Sequence, residues 1–570
     1  MRPMNMKYAI SKTQLFLALV VAMTLCLAPA AFAAVPGITG ATSTPTFNLT
    51  AQTAYLNQPD GSSVYSWGYG CSVAPTGFAP AAIANAKCPA MQVPGPTLIV
   101  REGDTVTVIL SNGLPTAAGN TSILFPGFQV CAGTISGVSP TNPAGTCTPS
   151  ATDGVAGLLT QEAAPAGTVT YQFVATAPGT HPYYSGTQGD LQIEMGLYGA
   201  VIVLPASVPT NCTTGLAAAN LQVEAAWGES DFRLSQAAYD HPKSCYDREY
   251  LFQWAEMDPS IHRTALAQVT ATAGCTAGAP GCSLNVPTEP YHPSYFLING
   301  RSMPDLMDPN YAAEYPHQPY NGNPHIHPGE LMLIRTVGQG RWQHPFHEHA
   351  NHVRILARDG NLILSQSAPA TDLAGILMFD TDTTPGQAFD GIFYFTGRGL
   401  NWDMYGHHGG TTDPYGDANA ILPCVPDSNG YYTVNSSPPA PVSTINYYEW
   451  CQDHNKPVQV APFGDVAAGG PATLPDPNIF TNGAWYGGTP YLGPDATLRA
   501  GNPACAGTKN ANCALLQPSN TQANPANERG WAFMWHSHNE REITTNNVFP
   551  GGMLMMLLVD SREFVIDESN

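Results

Sequence analysis

The sequence predicts an all-β protein of two β-sandwich halves, the second broken by a long loop-rich insertion. Three observations carry this. Glycine (55) and proline (52) are abundant, while charged residues make up only 11% of the 570; such a composition suits short strands joined by turns. No long stretch carries helical periodicity. A strand-leading pattern of proline, glycine and acid occurs twice, at Pro94-Gly95-Pro96 with Glu102-Gly103-Asp104 and at Pro328-Gly329-Glu330. Two copies of one sandwich would produce that repeat.

Residues 1–33 read as a signal peptide. Arg2, Lys7 and Lys12 give a basic start, Leu15 to Leu27 an apolar run too short for a membrane span, and Ala31-Phe32-Ala33 a small-residue cleavage site. The mature chain is then expected to begin near Ala34, with no membrane span. Residues 41–205 form the first predicted domain. Thr97 to Arg101 and Thr105 to Val108 are strands around the Glu-Gly-Asp turn, His181 to Tyr184 begins another, and Gly196 to Pro205 is a closing apolar strand ended by proline. A linker covers 206–245.

The second domain is expected over 246–397. Its strands are Tyr250 to Met257, Tyr295 to Arg301, Glu330 to Arg335 and Phe389 to Phe395. Residues 398–525 are rich in Gly, Pro, Asn, Asp and Ala with little periodicity, and read as a disulfide-pinned insertion. Residues 526–562 supply the last strands of the second sandwich.

Loss of residues 1–33 removes three positive charges and no negative ones, taking the formal net charge from −21 to −24. A chain this acidic is a poor partner for nucleic acid or anionic lipid. Twelve of the thirteen cysteines remain, and most have a close neighbour in sequence. Proximity suggests the pairs 71–88, 131–147, 212–245, 275–282, 424–451 and 505–513, as expected of an exported protein.

Four of the sixteen histidines fall within nine residues, His344, His347, His349 and His352, and a second group lies at His536-Ser537-His538. His-x-His on a strand places both imidazoles on one face. Two such pairs offer four nitrogen ligands to a transition metal. Glu540 and Glu542 share the parity of His536 and His538, so they join the candidate set as carboxylate ligands or hydrogen-bond acceptors, the alternative being solvent exposure. His344 is either a ligand or a structural histidine. His325, His327, His407 and His408 read as turn or surface residues, and Met553, Met555 and Met556 as core. All-nitrogen ligation suits copper, zinc, iron or nickel, and added carboxylates favour iron or manganese.

At these residues the chain resembles the multicopper oxidases, which are built from Greek-key cupredoxin domains. The anchors are Pro94-Gly95-Pro96-Thr97, Gly196-Leu197-Tyr198-Gly199, His344-Pro345-Phe346-His347-Glu348-His349, Asp359-Gly360, and His536-Ser537-His538 before Gly552-Met553. The likeness spans roughly 41–205, 246–395 and 526–562, and leaves out the insertion. It implies copper. Yet Leu124, Pro126, Tyr184 and Gly186 stand where the family's first two motifs carry histidines, Ser537 where it carries the copper-binding cysteine, and Glu542 where a later histidine falls. In this it is similar to bacterial two-domain members with His-Ser-His-Asn-Glu. Serine supplies no thiolate, so a blue copper site is not expected, nor is a complete trinuclear cluster.

The reading that follows is an exported copper-binding oxidoreductase, periplasmic, cell-surface or extracellular. Its metal site is non-blue and histidine-rich, drawn from His344, His347, His349, His536, His538, Glu540 and Glu542, with zinc, iron or manganese as other occupants. Its substrate is a small molecule or metal ion. The other reading is a non-catalytic extracellular or surface protein that keeps the scaffold.

Overall fold

The computed structural model describes residues 35–40, 42–80, 88–214, 229, 231–327, 329–366, 372–395, 530–560 and 566, with the short strand pieces 431–432, 449–450 and 488–491. The segment read as a signal peptide, most of the insertion, His407, His408 and the two cysteine pairs 424–451 and 505–513 lie outside the described residues.

The all-β expectation holds. In the first half, one sheet runs in the order Gly179–Tyr184, Tyr198–Leu204, Leu98–Arg101, Gly37–Thr39, Gly77–Ala79. It faces a second sheet of Thr168–Val174, Thr105–Asn112, Thr46–Asn57 and Ser63–Cys71. Period-two burial along Thr105–Asn112 sends Val106, Val108 and Leu110 into the core between them. The second half repeats the plan. A sheet ordered Tyr295–Ile298, Arg248–Met257, Leu331–Gly338, Ala388–Tyr394, Val353–Arg358 faces one ordered His325–Ile326, Leu554–Asp560, Gly530–Ser537, Pro345–Glu348, Asp380–Asp382. In each half a parallel pair is followed by an antiparallel partner: Thr46–Asn57, Thr105–Asn112 and Thr168–Val174 match Arg248–Met257, Leu331–Gly338 and Ala388–Tyr394.

The anchor glycines have a steric cause. Tyr183 lies buried and donates to the Pro96 carbonyl at 2.8 Å. A Cβ on Gly95 would come within 2.5 Å of its hydroxyl, and one on Gly199 within 2.3 Å of its ring. Both glycines make room for one tyrosine.

The halves meet across the Gly179–Tyr184 strand. Thr180 donates to Asp390 at 2.6 Å, Tyr239 donates to the same carboxylate, and buried Arg335 pairs with Glu249 at 2.9 Å. Gln339 reaches the Gly199 carbonyl at 2.8 Å.

One element went unforeseen, the helix Pro259–Ala271. Asp258 caps it by accepting from the Ser260 amide at 2.8 Å, and Pro259 occupies its first turn. The helix buries Ile261 and Ala265 against the first core. Its His262 is fully buried between the carbonyls of Tyr65 and Glu194.

Four of the six sequence-paired disulfides are formed, Cys71–Cys88, Cys131–Cys147, Cys212–Cys245 and Cys275–Cys282. Closing a 17-residue separation restricts the unfolded chain by about 3 kcal/mol. Replacing Cys71 and Cys88 together with serine is therefore expected to cost about that much in urea unfolding at fixed pH. A change below about 1 kcal/mol would mean that the denatured chain is already held compact there.

Candidate metal centre

Parity builds the site. On Pro345–Glu348, Phe346 and Glu348 point inward, and on Gly530–Ser537 so do Phe533, Trp535 and Ser537. Phe346 is held by Trp254 at 4.7 Å and by Phe252 and Trp535, each at 5.9 Å between ring centroids. That aromatic cluster fixes the strand, so residues of the other parity, His347, His349 and His536, emerge together on the outer face. His347 and His536 are direct cross-strand partners.

The structure brings three of the candidate histidines together: His347, His349 and His536 each offer a nitrogen, all within 4.8 Å of one another. His536 donates from Nδ1 to the Ser537 carbonyl at 2.7 Å, which leaves its Nε2 unprotonated when the ring is neutral. That Nε2 lies 3.2 Å from Nε2 of His349. With metal–nitrogen bonds of about 2.0 Å, this spacing corresponds to roughly a tetrahedral angle at a shared ion, so the donor set fits copper or zinc. His538 is exposed, its ring 4.8 Å from that of His347. It stands at the open side of the group.

Burial lowers the His347 pKa to about 4, helped by the neighbouring charges of His349, His536 and His538. Burial also lowers that of His536. Both imidazoles are thus kept neutral, the form that binds a cation.

His344 and Glu542 are not brought into this group. His344 has the inward parity and is fully buried. Its Nε2 donates to Glu256 at 2.9 Å and its Nδ1 to Glu542 at 2.8 Å. Burial alone would lower its pKa, but the two carboxylates lift it to about 9. Glu542 also accepts from Ser537 at 2.5 Å and from Asn539 at 2.9 Å. Met553 closes the arrangement through the backbone, donating to the Glu542 carbonyl at 2.8 Å and accepting from the Ser537 amide at 3.0 Å. The positions that in the resemblance would hold blue copper therefore converge on a buried imidazolium flanked by two carboxylates. A metal does not fit there, because both ring nitrogens are spent. The parity argument for Glu540 and Glu542 fails because the strand ends at Ser537 and the chain turns. Glu540 is exposed.

Glu256 escaped notice in the sequence, lying near the end of a largely apolar strand. It extends the network through Tyr291, whose hydroxyl lies 3.0 Å from Glu256 and 2.7 Å from Glu194 of the first half. Another correction concerns His325 and His327. Far from being surface residues, both are buried, His325 on Asp560 at 2.7 Å and His327 on Glu229 at 2.9 Å. His352 packs edge-on against Phe379, 5.0 Å between centroids, outside the gathered group. Met553 and Met555 lie in the core as expected.

The first half repeats this site without its chemistry. Leu124 bridges Tyr184 as His347 pairs with His536. A Cβ on Gly186 would come within 2.8 Å of Leu124, so even an alanine there meets packed hydrocarbon.

Two such sandwiches, with imidazoles from adjacent strands of the second gathered on one face, define a cupredoxin-type protein. Residues 85–207 match the family model described as Multicopper oxidase. Solved structures similar to it include a blue copper oxidase from Nitrosomonas europaea, at 14% identity over 90% of this chain and 85% of that one, with a TM-score of 0.41. A copper nitrite reductase from the same organism matches at 20% identity over 62% and 86%, with a TM-score of 0.35. At such identities the likeness concerns the fold alone. A comparison with curated proteins returns no match. Among the described residues no helix is long and apolar enough to cross a membrane.

Proposed function

We propose that the protein is an exported, copper-binding oxidoreductase whose metal sits at a non-blue centre of His347, His349 and His536, with His538 at its open side. The observation that carries this is the gathering of three imidazole nitrogens within 4.8 Å, two of them at the spacing of ligands on one ion. Copper bound there would supply one-electron exchange. The protein's part is to hold the rings by the aromatic core beneath, to fix the His536 tautomer through the Ser537 carbonyl, and to leave one side accessible. Export is supported by the formed disulfides and by the signal-like residues 1–33.

Metal analysis and electron paramagnetic resonance on the purified mature protein test this. One copper per centre is expected, with His347→Ala and His536→Ala each weakening binding at least about 100-fold. A folded protein that takes up no metal from a copper-loaded buffer would overturn it. The packed Leu124–Tyr184 counterpart favours a second reading, a non-catalytic scaffold. Oxygen consumption with phenols, Mn(II), Fe(II) or Cu(I) that vanishes in His536→Ala would rule that reading out.

A further inference from the structure

We propose that Asp380 is the carboxylate ligand of the histidine centre, making it a mixed imidazole–carboxylate site. This rests on the reading of His347, His349 and His536 as metal ligands.

Asp380 begins the edge strand Asp380–Asp382, which pairs antiparallel with Pro345–Glu348. Its cross-strand partner is His347, and the partner of His347 on the far side is His536. The three residues form one row across three adjacent strands. Directly opposed residues project to the same face of a sheet, so the aspartate lies on the histidine face. Its carboxyl is within electrostatic range of His538 and His536, outside the three-histidine group whose ligand atoms lie within 4.8 Å of one another.

Two further observations point to a ligand. Oδ1 of Asp380 is buried and has no hydrogen-bond partner, an arrangement that costs free energy unless something neutralises the oxygen. The centre also lacks an anion from the acids next to it in sequence, since Glu348 points inward and accepts from Thr381, Glu542 is committed to His344, and Glu540 is exposed. Neutral imidazoles alone leave a dication uncompensated in a partly buried site. One carboxylate halves that charge and supplies a hard oxygen. Such a donor set extends the site's range from copper and zinc towards manganese(II) and iron(II).

The test uses the mature protein, stripped by chelation and titrated separately with Cu(II), Zn(II) and Mn(II) by calorimetry. Cu(II) and Mn(II) are also followed by electron paramagnetic resonance. Asp380→Asn is expected to weaken Mn(II) binding about 10- to 100-fold, to weaken Cu(II) less, and to change the Cu(II) spectrum, with far-ultraviolet circular dichroism unchanged. Asp380→Glu, which keeps the charge, is expected to restore part of the Mn(II) affinity, and Asp380→Ser serves if the asparagine variant does not fold. Wild-type affinities and an unchanged Cu(II) spectrum in Asp380→Asn, with binding abolished in His347→Ala, would overturn the inference and leave the histidine centre standing. Weakened binding with an unchanged spectrum would also overturn it, because the aspartate would then act through another group. Binding unaffected in both Asp380→Asn and His347→Ala would overturn the centre itself.

Discussion

Replacing His344 with alanine is expected to cost about 3–5 kcal/mol of folding free energy, the range for breaking a buried ion pair from one side. The variant leaves Glu256 and Glu542, both buried, with no cation between them. The sign of the pH dependence follows from linkage. The His344 pKa is lifted from 6.5 to about 9 in the folded state, so the folded protein holds a proton that the unfolded chain gives up. The stabilisation, roughly 3 kcal/mol, is fully present below pH 6.5 and is lost as pH rises through about 9. Urea unfolding at pH 6, 7.5 and 9.5 should show this decline in the wild type, and the His344→Ala protein should lack it. Equal slopes in the two proteins would remove the imidazolium from the account.

The double variant S537C/E542H is expected to acquire an intense blue colour on addition of Cu(II), which the wild type lacks. A blue centre needs two imidazoles, a thiolate and a weak axial ligand such as methionine. Two of the four ligand residues, His344 and Met553, are already present. His344 presents Nδ1 to the centre of the group, while its Nε2 is tied to Glu256, the orienting contact that metal-ligating histidines usually have. Ser537 and His344 both reach the same oxygen of Glu542, at 2.5 and 2.8 Å, so the two new ligands would start within bonding range of a common point. Met553 is tied by backbone hydrogen bonds to both altered residues. A folded double variant that binds Cu(II) without the charge-transfer band would show that the four positions do not close on one ion. Blue absorption in the wild type would contradict the role assigned to Ser537.

Much of this was legible in the chain, for reasons that differ by element. Local rules found the strands around Glu102-Gly103-Asp104 and the four described disulfides, because alternation and short cysteine spacing are local. The His347/His349 face was legible because strand parity is strict while the strand lasts. The same rule failed at Glu542, because nothing local marks the end of the strand at Ser537. The buried state of His325 and His327 depends on Asp560 and Glu229, 235 and 98 residues away. Asp380 depends on register with a strand more than thirty residues earlier. The helix Pro259–Ala271 did carry a signal, Asp258-Pro259 at its start, but its buried face is short and interrupted by His262.

The imidazolium between Glu256 and Glu542 also bears on how the protein matures. A copper site must be filled after the chain leaves the ribosome, by whatever delivers the ion, and until then its ligands are an unfinished part of the core. Here the same place is completed by the polypeptide's own proton chemistry as the strands close. Tyr291 carries the contact on to Glu194 in the first half. Assembly of the inner site is therefore independent of metal supply, and both sandwiches can lock together before any ion reaches the histidines on the outer face.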